Sequence, residues 1–289
     1  MKKTIQARLF LVGCPRSGTT LLQSMLAAHS AIASFPESHF LLIASRSRRA
    51  RWMRKIGLVA PEMRQHLRQF LHEVGHPELL PPMTYRLQPF IRQFAHILDQ
   101  LTVVQGKSIW LEKTPGHLYY INDFANAIPN ARFIHLIRNG ADVVASLYEV
   151  TNQYPAQWGH GYTIEQCVKM WNRTVRLSMG YVGNTNHHIV RYEQLLAQPE
   201  AVLGDLCRFI GVPFETTMRV AHHNVAPQLI APYESWKSNA LAPLHMAEQG
   251  KFTCLFTPEQ QRAIAAQLVS FTPENRCDSC GKVSEDTPL

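Results

Sequence analysis

No apolar run in this 289-residue chain reaches the roughly 18–20 residues that a membrane-spanning helix needs. That excludes a transmembrane span. The opening stretch, Met1 to Arg8, has two lysines but neither the apolar core nor the cleavage site of a signal peptide. The apolar residues after it are needed for a first strand, so the expected location is cytoplasmic. No internal repeat or low-complexity block is visible, which excludes solenoids and long disordered tracts. Neither a zinc-finger spacing nor an aromatic RNA-binding signature occurs, which weakens a nucleic-acid role. Cysteine is sparse. Cys14, Cys167, Cys207 and Cys254 sit among apolar neighbours and read as buried, reduced thiols. Cys277 and Cys280 form half of a zinc spacing with no second pair nearby, and are open to a local disulfide or to metal shared between chains. No structural metal is expected.

What remains is a chain with 46% hydrophobic and 17% charged residues, enough to bury a sizeable core. Its 29 basic residues exceed its 21 acidic ones, a formal charge of +8. Such an excess fits a nucleic acid, a membrane or a small polyanion.

The segment Leu9 to Leu26 favours the polyanion. It reads as a buried strand, a glycine-bounded loop and an amphipathic helix, the arrangement that aims backbone N–H groups and a helix N-terminus at an anion. Gly13 and Gly18 have the spacing of a P-loop, yet Thr19 stands where a nucleoside triphosphatase carries Lys. The cation is Arg16, inside the loop. A second apolar run, Ala131 to Ile137, ends in Arg138 where a magnesium-binding strand would end in Asp. A guanidinium there suits a second phosphate through paired hydrogen bonds. Two anion sites on one sheet suit a nucleotide with phosphates at both ends.

These residues resemble the sulfotransferases that use 3′-phosphoadenosine-5′-phosphosulfate, and are closest in pattern to the tyrosylprotein and bacterial enzymes of the Pro-Arg-Ser-Gly-Thr-Thr type. Cys14-Pro15-Arg16-Ser17-Gly18-Thr19-Thr20 is similar to their 5′-phosphosulfate loop, and Arg138 with Ser146 to their 3′-phosphate pair. Glu112-Lys113-Thr114-Pro115 and Arg191-Tyr192-Glu193 match two further landmarks in the expected order. The resemblance spans residues 8 to 196. It implies an α/β P-loop nucleotide-binding fold, with a central parallel sheet flanked by helices and one helical insert.

The chain divides accordingly into one domain over 1–289. Its core lies in 8–35 and 107–212, with strands expected at 108–112, 132–137 and 187–191. A helical, acceptor-side insert covers 38–104, and a loop-rich region covers 222–289. Helices are expected over Thr163–Tyr181, Pro199–Ile210 and Pro258–Val269, the second stopped by Gly211 and Pro213. The basic run Arg46, Arg48, Arg49, Arg51, Arg54 and Lys55 is either a solvated helix face or a docking surface for an acidic acceptor or carrier.

The resemblance also implies roles. Arg16, Ser17, Gly18, Thr19 and Thr20 would hold the 5′-phosphosulfate, Arg138 and Ser146 the 3′-phosphate, and Tyr192 the adenine side. Ser17 and Thr20 are also candidates for capping the loop's helix. Lys113 would approach the sulfonate and bridging oxygen, or else be a surface lysine paired with Glu112. Glu37 is the first choice for general base, provided burial raises its pKa, with His39 as the alternative. Catalysis would thus rest on Glu37, Lys113 and Arg16. His135 reads as a satisfied core histidine, and His117 as ordering its loop. Glu193 is assigned to capping or a salt bridge. Trp236-Lys237 is similar to a Trp-basic step near the nucleotide. The implied reaction is sulfuryl transfer to a hydroxyl on a small molecule, sugar, lipid or protein tyrosine, without metal. The alternatives are a P-loop kinase using ATP and magnesium, and a non-catalytic polyanion-binding protein.

Overall fold

Five short segments rich in branched and aromatic residues build the sheet: β1 (Ala7–Gly13), β2 (Ile32–Ser34), β3 (Ile109–Lys113), β4 (Ala131–Ile137) and β5 (His187–Arg191). The computed structural model describes residues 4–230, 234, 236–237 and 250–271, so the Cys277–Cys280 pair lies outside the described residues. All strand pairs are parallel, in the order β2-β3-β1-β4-β5. Parallel strands are covered on both faces, which explains their near-continuous apolar sequences.

The strand period of two divides those residues between two cores. Leu9, Leu11, Ile109, Leu111, Ile134 and Leu136 face α1 (Thr19–Ala27) and the helix Pro199–Ile210. Phe10, Trp110 and Phe133 face the other way, onto a larger core that includes the insert. The insert comprises α2 (Arg48–Lys55), α3 (Pro61–Glu73) and α4 (Leu87–Val104). Phe10 is central to this side, with its ring 4.4 Å from Phe124 of α5 (Ile121–Ala127) and 5.2 Å from Trp110. A third cluster packs α6 (Gly140–Gln153) against the helix Ile164–Met179 and the final helix Pro258–Gln267.

The strands and long helices fall where the sequence places them. Thr163 and Thr257 start their helices with capping boxes, closed by Gln166 and Gln260. Gly211 ends its helix in the left-handed conformation at φ 87°. Two expectations need correction. The region beyond 222 is not merely loop: His222–Leu229 and Lys251–Leu255 are helical. Cys254 is exposed, because Phe252 and Leu255 take the packing side of that short helix. Cys14, Cys167 and Cys207 are buried as expected. Among the described residues no helix is long and apolar enough to cross a membrane.

One buried pair gives the fold a pH dependence. His135 bonds Ser178 Oγ through Nδ1 at 3.1 Å and His187 Nδ1 through Nε2 at 2.9 Å. Burial lowers His187 to about 4 and drives His135 well below its usual value, with His187 adding to the shift. The unfolded chain therefore binds more protons than the folded one from about pH 6.5 down to about pH 4. The stability conferred by neutral histidines is complete above that window and is lost as the pH falls through it. Thermal unfolding should show Tm dropping from pH 6.5 toward pH 4, with a shallower drop in His187→Phe. An unchanged slope in the variant would remove the pair as the cause.

Candidate active site

The order of the strands reverses at β1, which lies between β3 and β4. In such sheets ligands bind outside the carboxyl ends of the strands, at the reversal. Each strand here delivers a candidate residue to that end. The loop after β1 carries Arg16 to Thr20, the one after β2 carries Glu37 and His39, and β3 ends in Lys113. Arg138 directly follows β4, and Tyr192 directly follows β5.

The loop after β1 is shaped for an anion. Arg16 and Gly18 both have left-handed backbone, at φ 71° and 92°. Alternation of this kind forms a concavity of N–H groups. Gly18 is also required sterically, since a Cβ there would meet the Tyr192 ring at 2.3 Å. Ser17 and Thr20 do not cap α1 as expected: Gly18 holds the cap position and no side chain bonds to it. Ser17 Oγ is instead buried without a partner, as is Arg138 Nε among the atoms facing this region. Thr19, Thr20 and Ser146 are buried as well. Two orphaned donors beside a nest of backbone N–H groups fit a phosphate-bearing ligand, since buried polar atoms are normally paired.

Arg16 spans the two expected anion sites. Its Nε donates to Ser146 Oγ at 3.1 Å, and its Nη2 to the Trp236 carbonyl at 3.2 Å. Burial lowers the Arg16 pKa, and the neighbouring Arg138 charge lowers it further. The Arg138 guanidinium lies 4.6 Å over the Tyr192 ring and pairs with Asp142 at 3.7 Å. Glu193 accepts the Asn139 N–H at 2.7 Å and so steadies the turn into α6.

Lys113 is fully buried. It does not pair with Glu112, because successive strand residues face opposite ways. Its Nζ contacts Glu37 Oε1 and donates to Thr20 Oγ1 at 3.3 Å. Lys237 Nζ reaches the same Glu37 oxygen at 2.5 Å and also pairs with Glu234. Burial alone would raise the Glu37 carboxyl, but the ammonium groups of Lys113 and Lys237 hold it well below the usual carboxylate range. The expected upward shift is thereby overturned. Burial lowers Lys113 to about 8, with Glu37 opposing the shift and Lys237 adding to it. His39 Nε2 is 3.7 Å from Glu37 Oε2, and burial lowers its pKa despite that carboxylate. Glu37, His39 and Glu234 have ligand atoms within 4.8 Å of one another, a spacing open to a cation. Two ammonium groups already neutralise the carboxylates there.

Glu112 has a different task. Its Oε1 accepts from Ser38 Oγ and Thr114 Oγ1, both at 2.7 Å, and its Oε2 bonds His117 Nδ1 at 2.8 Å. Burial raises its pKa, but His117 and these hydrogen bonds bring the net value below the ordinary one. The network ties the Glu37 loop to the end of β3. Phe40 completes the anchor, its ring stacked 4.0 Å from Phe94 of α4. Sequence reasoning missed Glu234, although it lies two residues ahead of the Trp236-Lys237 step, and placed that step by a short match only. The described geometry brings both to Arg16 and Glu37.

A parallel sheet with a P-loop at its reversal, and arginine in place of the magnesium-binding Asp, defines an α/β fold of the phosphate-loop class. Within that class the chain belongs to the sulfotransferase family, whose model matches residues 8–216. It is 25% identical over 228 residues to protein-tyrosine sulfotransferase A of Caenorhabditis elegans, covering 74% of this chain and 52% of that protein. The chain thus spans about half the length of that relative. Its fold is similar to that of the sulfotransferase domain from the curacin biosynthetic pathway, with a TM-score of 0.58 at 20% identity, covering 91% of this chain and 98% of that one. A mouse sulfotransferase complexed with PAP shares the fold at a TM-score of 0.53 and 14% identity, covering 92% and 85% of the two chains.

Removing the Glu112 carboxylate should loosen the Glu37 loop and destabilise the fold. Glu112→Ala leaves Ser38, Thr114 and His117 without their buried acceptor. The expected cost is on the order of 3 kcal/mol, read by denaturant unfolding. A cost near zero would show the network to be dispensable.

Proposed function

We propose that this chain transfers a sulfuryl group from 3′-phosphoadenosine-5′-phosphosulfate to a hydroxyl acceptor. The observation that carries the reading is the pair of orphaned buried donors, Ser17 Oγ and Arg138 Nε, set among Arg16, Lys113 and the left-handed phosphate loop. Family membership and the PAP complex of a similarly folded sulfotransferase support the choice of donor. In this reading Arg16 to Thr20 hold the 5′ end of the cosubstrate. Arg138 and Ser146 hold its 3′-phosphate, and Tyr192 borders the base.

The acceptor oxygen forms a bond to sulfur while the bond from sulfur to the bridging oxygen breaks, leaving adenosine 3′,5′-bisphosphate. The hydroxyl proton goes to a base, with Glu37 the first candidate and His39 the second. Glu37 is a weak base while both lysines hold it. Drawing Lys113 onto the sulfonate would leave the carboxylate one partner fewer and raise its proton affinity. Lys113 thereby links charge stabilisation at the leaving oxygen to activation of the base. The insert 38–104 lies next to Glu37 in the chain and belongs on the acceptor side of a single catalytic domain. The length relation to the tyrosine-specific relative leaves the acceptor as a hydroxyl class, including protein tyrosine.

Calorimetric titration with adenosine 3′,5′-bisphosphate tests the donor. Binding should be tight without metal, stronger than for ATP with magnesium, and weakened at least tenfold by Arg138→Ala, since a charge-assisted phosphate pair is worth about 1.5–3 kcal/mol. Preference for ATP with magnesium would overturn the reading. Lys113→Met should then lower turnover by about a hundredfold or more while leaving bisphosphate affinity within a few-fold, as expected of a contact made chiefly in the transition state. Glu37→Gln should also lower turnover. If it does not and His39→Ala does, the base is His39.

A further inference from the structure

The most basic part of the molecule is not the nucleotide cleft. Residues 38–104 hold ten Arg and Lys against four Asp and Glu, so most of the formal charge of +8 lies on the insert. No acidic residue occurs between Glu37 and Glu62. Of the eight large apolar side chains exposed among the described residues, six lie on the insert; besides Val103 and Val104 at the end of α4, they are Trp52 (61%), Ile56 (49%), Met83 (61%) and Tyr85 (67%).

The backbone brings these four side by side. Trp52 and Ile56 are one helical turn apart, joined by the Ile56 N–H to the Trp52 carbonyl at 3.2 Å. Gly57 follows, and its carbonyl accepts from the Leu87 N–H at 2.8 Å. The Val59 N–H in turn donates to the Tyr85 carbonyl at 2.9 Å, around the Leu58–Arg86 bridge. The end of α2 is thus clamped beside the segment that presents Met83 and Tyr85. Arg46, Arg48, Arg49 and Arg86 are exposed around them.

The helix is held rigidly from beneath. Ala50 is buried, Ser47 caps the N-terminus, and Arg51 donates to the Ser45 carbonyl at 2.9 Å. Arg54 turns inward, to Asp123 and over the Tyr120 ring at 4.7 Å. Two of the run's arginines therefore build the fold, while Arg48 and Arg49 face solvent with Trp52.

We propose that this face docks on an anionic lipid surface. Exposed Trp and Tyr beside exposed arginines form the composition that settles at a membrane interface, with rings at headgroup depth and guanidinium groups on the phosphates. Charge complementarity selects anionic over neutral lipid, because each basic group near a negatively charged bilayer adds to the attraction. The four apolar side chains come from two separate segments, each flanked by exposed arginines, so apolar and cationic groups reach one surface together. Docking here would hold the insert, and the Glu37 loop from which it springs, against the bilayer. The proposal does not depend on the sulfuryl-transfer reading.

Co-sedimentation of the full chain with lipid vesicles tests it. Vesicles of phosphatidylcholine and phosphatidylglycerol in equal parts should retain the protein at least about tenfold better than phosphatidylcholine alone, and high salt should release it. Tryptophan emission should shift to the blue on binding, and Trp52→Ser should remove most of that shift. The double variant Arg48→Glu, Arg49→Glu should weaken partition about tenfold or more. Both variants should keep the wild-type Tm and wild-type affinity for adenosine 3′,5′-bisphosphate, which separates failure of the surface from failure of the cleft. Equal partition on neutral vesicles, no partition at all, or partition unchanged in both variants would overturn the proposal. So would variant-sensitive binding to poly-glutamate without vesicle binding, which would make the partner an acidic protein.

Discussion

A fully buried ammonium is the constraint around which this site is arranged. Lys113 ends a central strand with no exposure to solvent, and a charge so placed needs partners or it loses its proton. The fold supplies Glu37 and the Thr20 hydroxyl, from two different strand ends. It then brings Lys237 to the same carboxylate from far along the chain. The result is a carboxylate held ionised by two cations, one of which stands at the phosphate loop. A change at Lys113 is therefore felt at Glu37, because the two are in direct contact.

Keeping that arrangement in place falls to residues that have no part in the chemistry. Glu112 points away from the cleft, yet its bonds to Ser38, Thr114 and His117 fix the loop that carries Glu37. Phe40 stacks on Phe94 and transmits the position of α4 to the same loop. The insert thus supports the site from behind and, through α2, presents a basic and aromatic outer face. One segment has two surfaces with different physical character, which follows from the helical period: Ala50 and Arg54 turn inward, and Arg48, Arg49 and Trp52 turn outward.

Local pattern made much of this legible in advance. A strand, a glycine-bounded loop and a helix are adjacent in sequence, so the loop over Arg16 to Thr20 could be placed between β1 and α1 without knowing what lies across the cleft. Arg138 at the end of an apolar run was readable for the same reason. His135 and His117 were correctly taken as structural, since a histidine inside an apolar strand or beside a turn-forming Pro needs a local partner. Glu234 was not legible, because the sequence around it has no clear periodicity and a lone carboxylate near the Trp236-Lys237 step matches no known spacing. Cys254 was misread because neighbouring apolar residues do not say which side of a short helix they take.

By itself, then, the sequence determined the α/β class, the glycine-bounded loop after the first strand and the excess of positive charge in the insert. These depend on periods of two and 3.6 residues and on short-range turn chemistry, which act within a dozen residues. Only the tertiary structure decided that Lys113 pairs with Glu37 and not with adjacent Glu112, that Lys237 joins them, and that Glu37 lies below its ordinary pKa where burial alone would have raised it. Electrostatic interaction depends on distance in space and on the surrounding dielectric. Neither is encoded in separation along the chain.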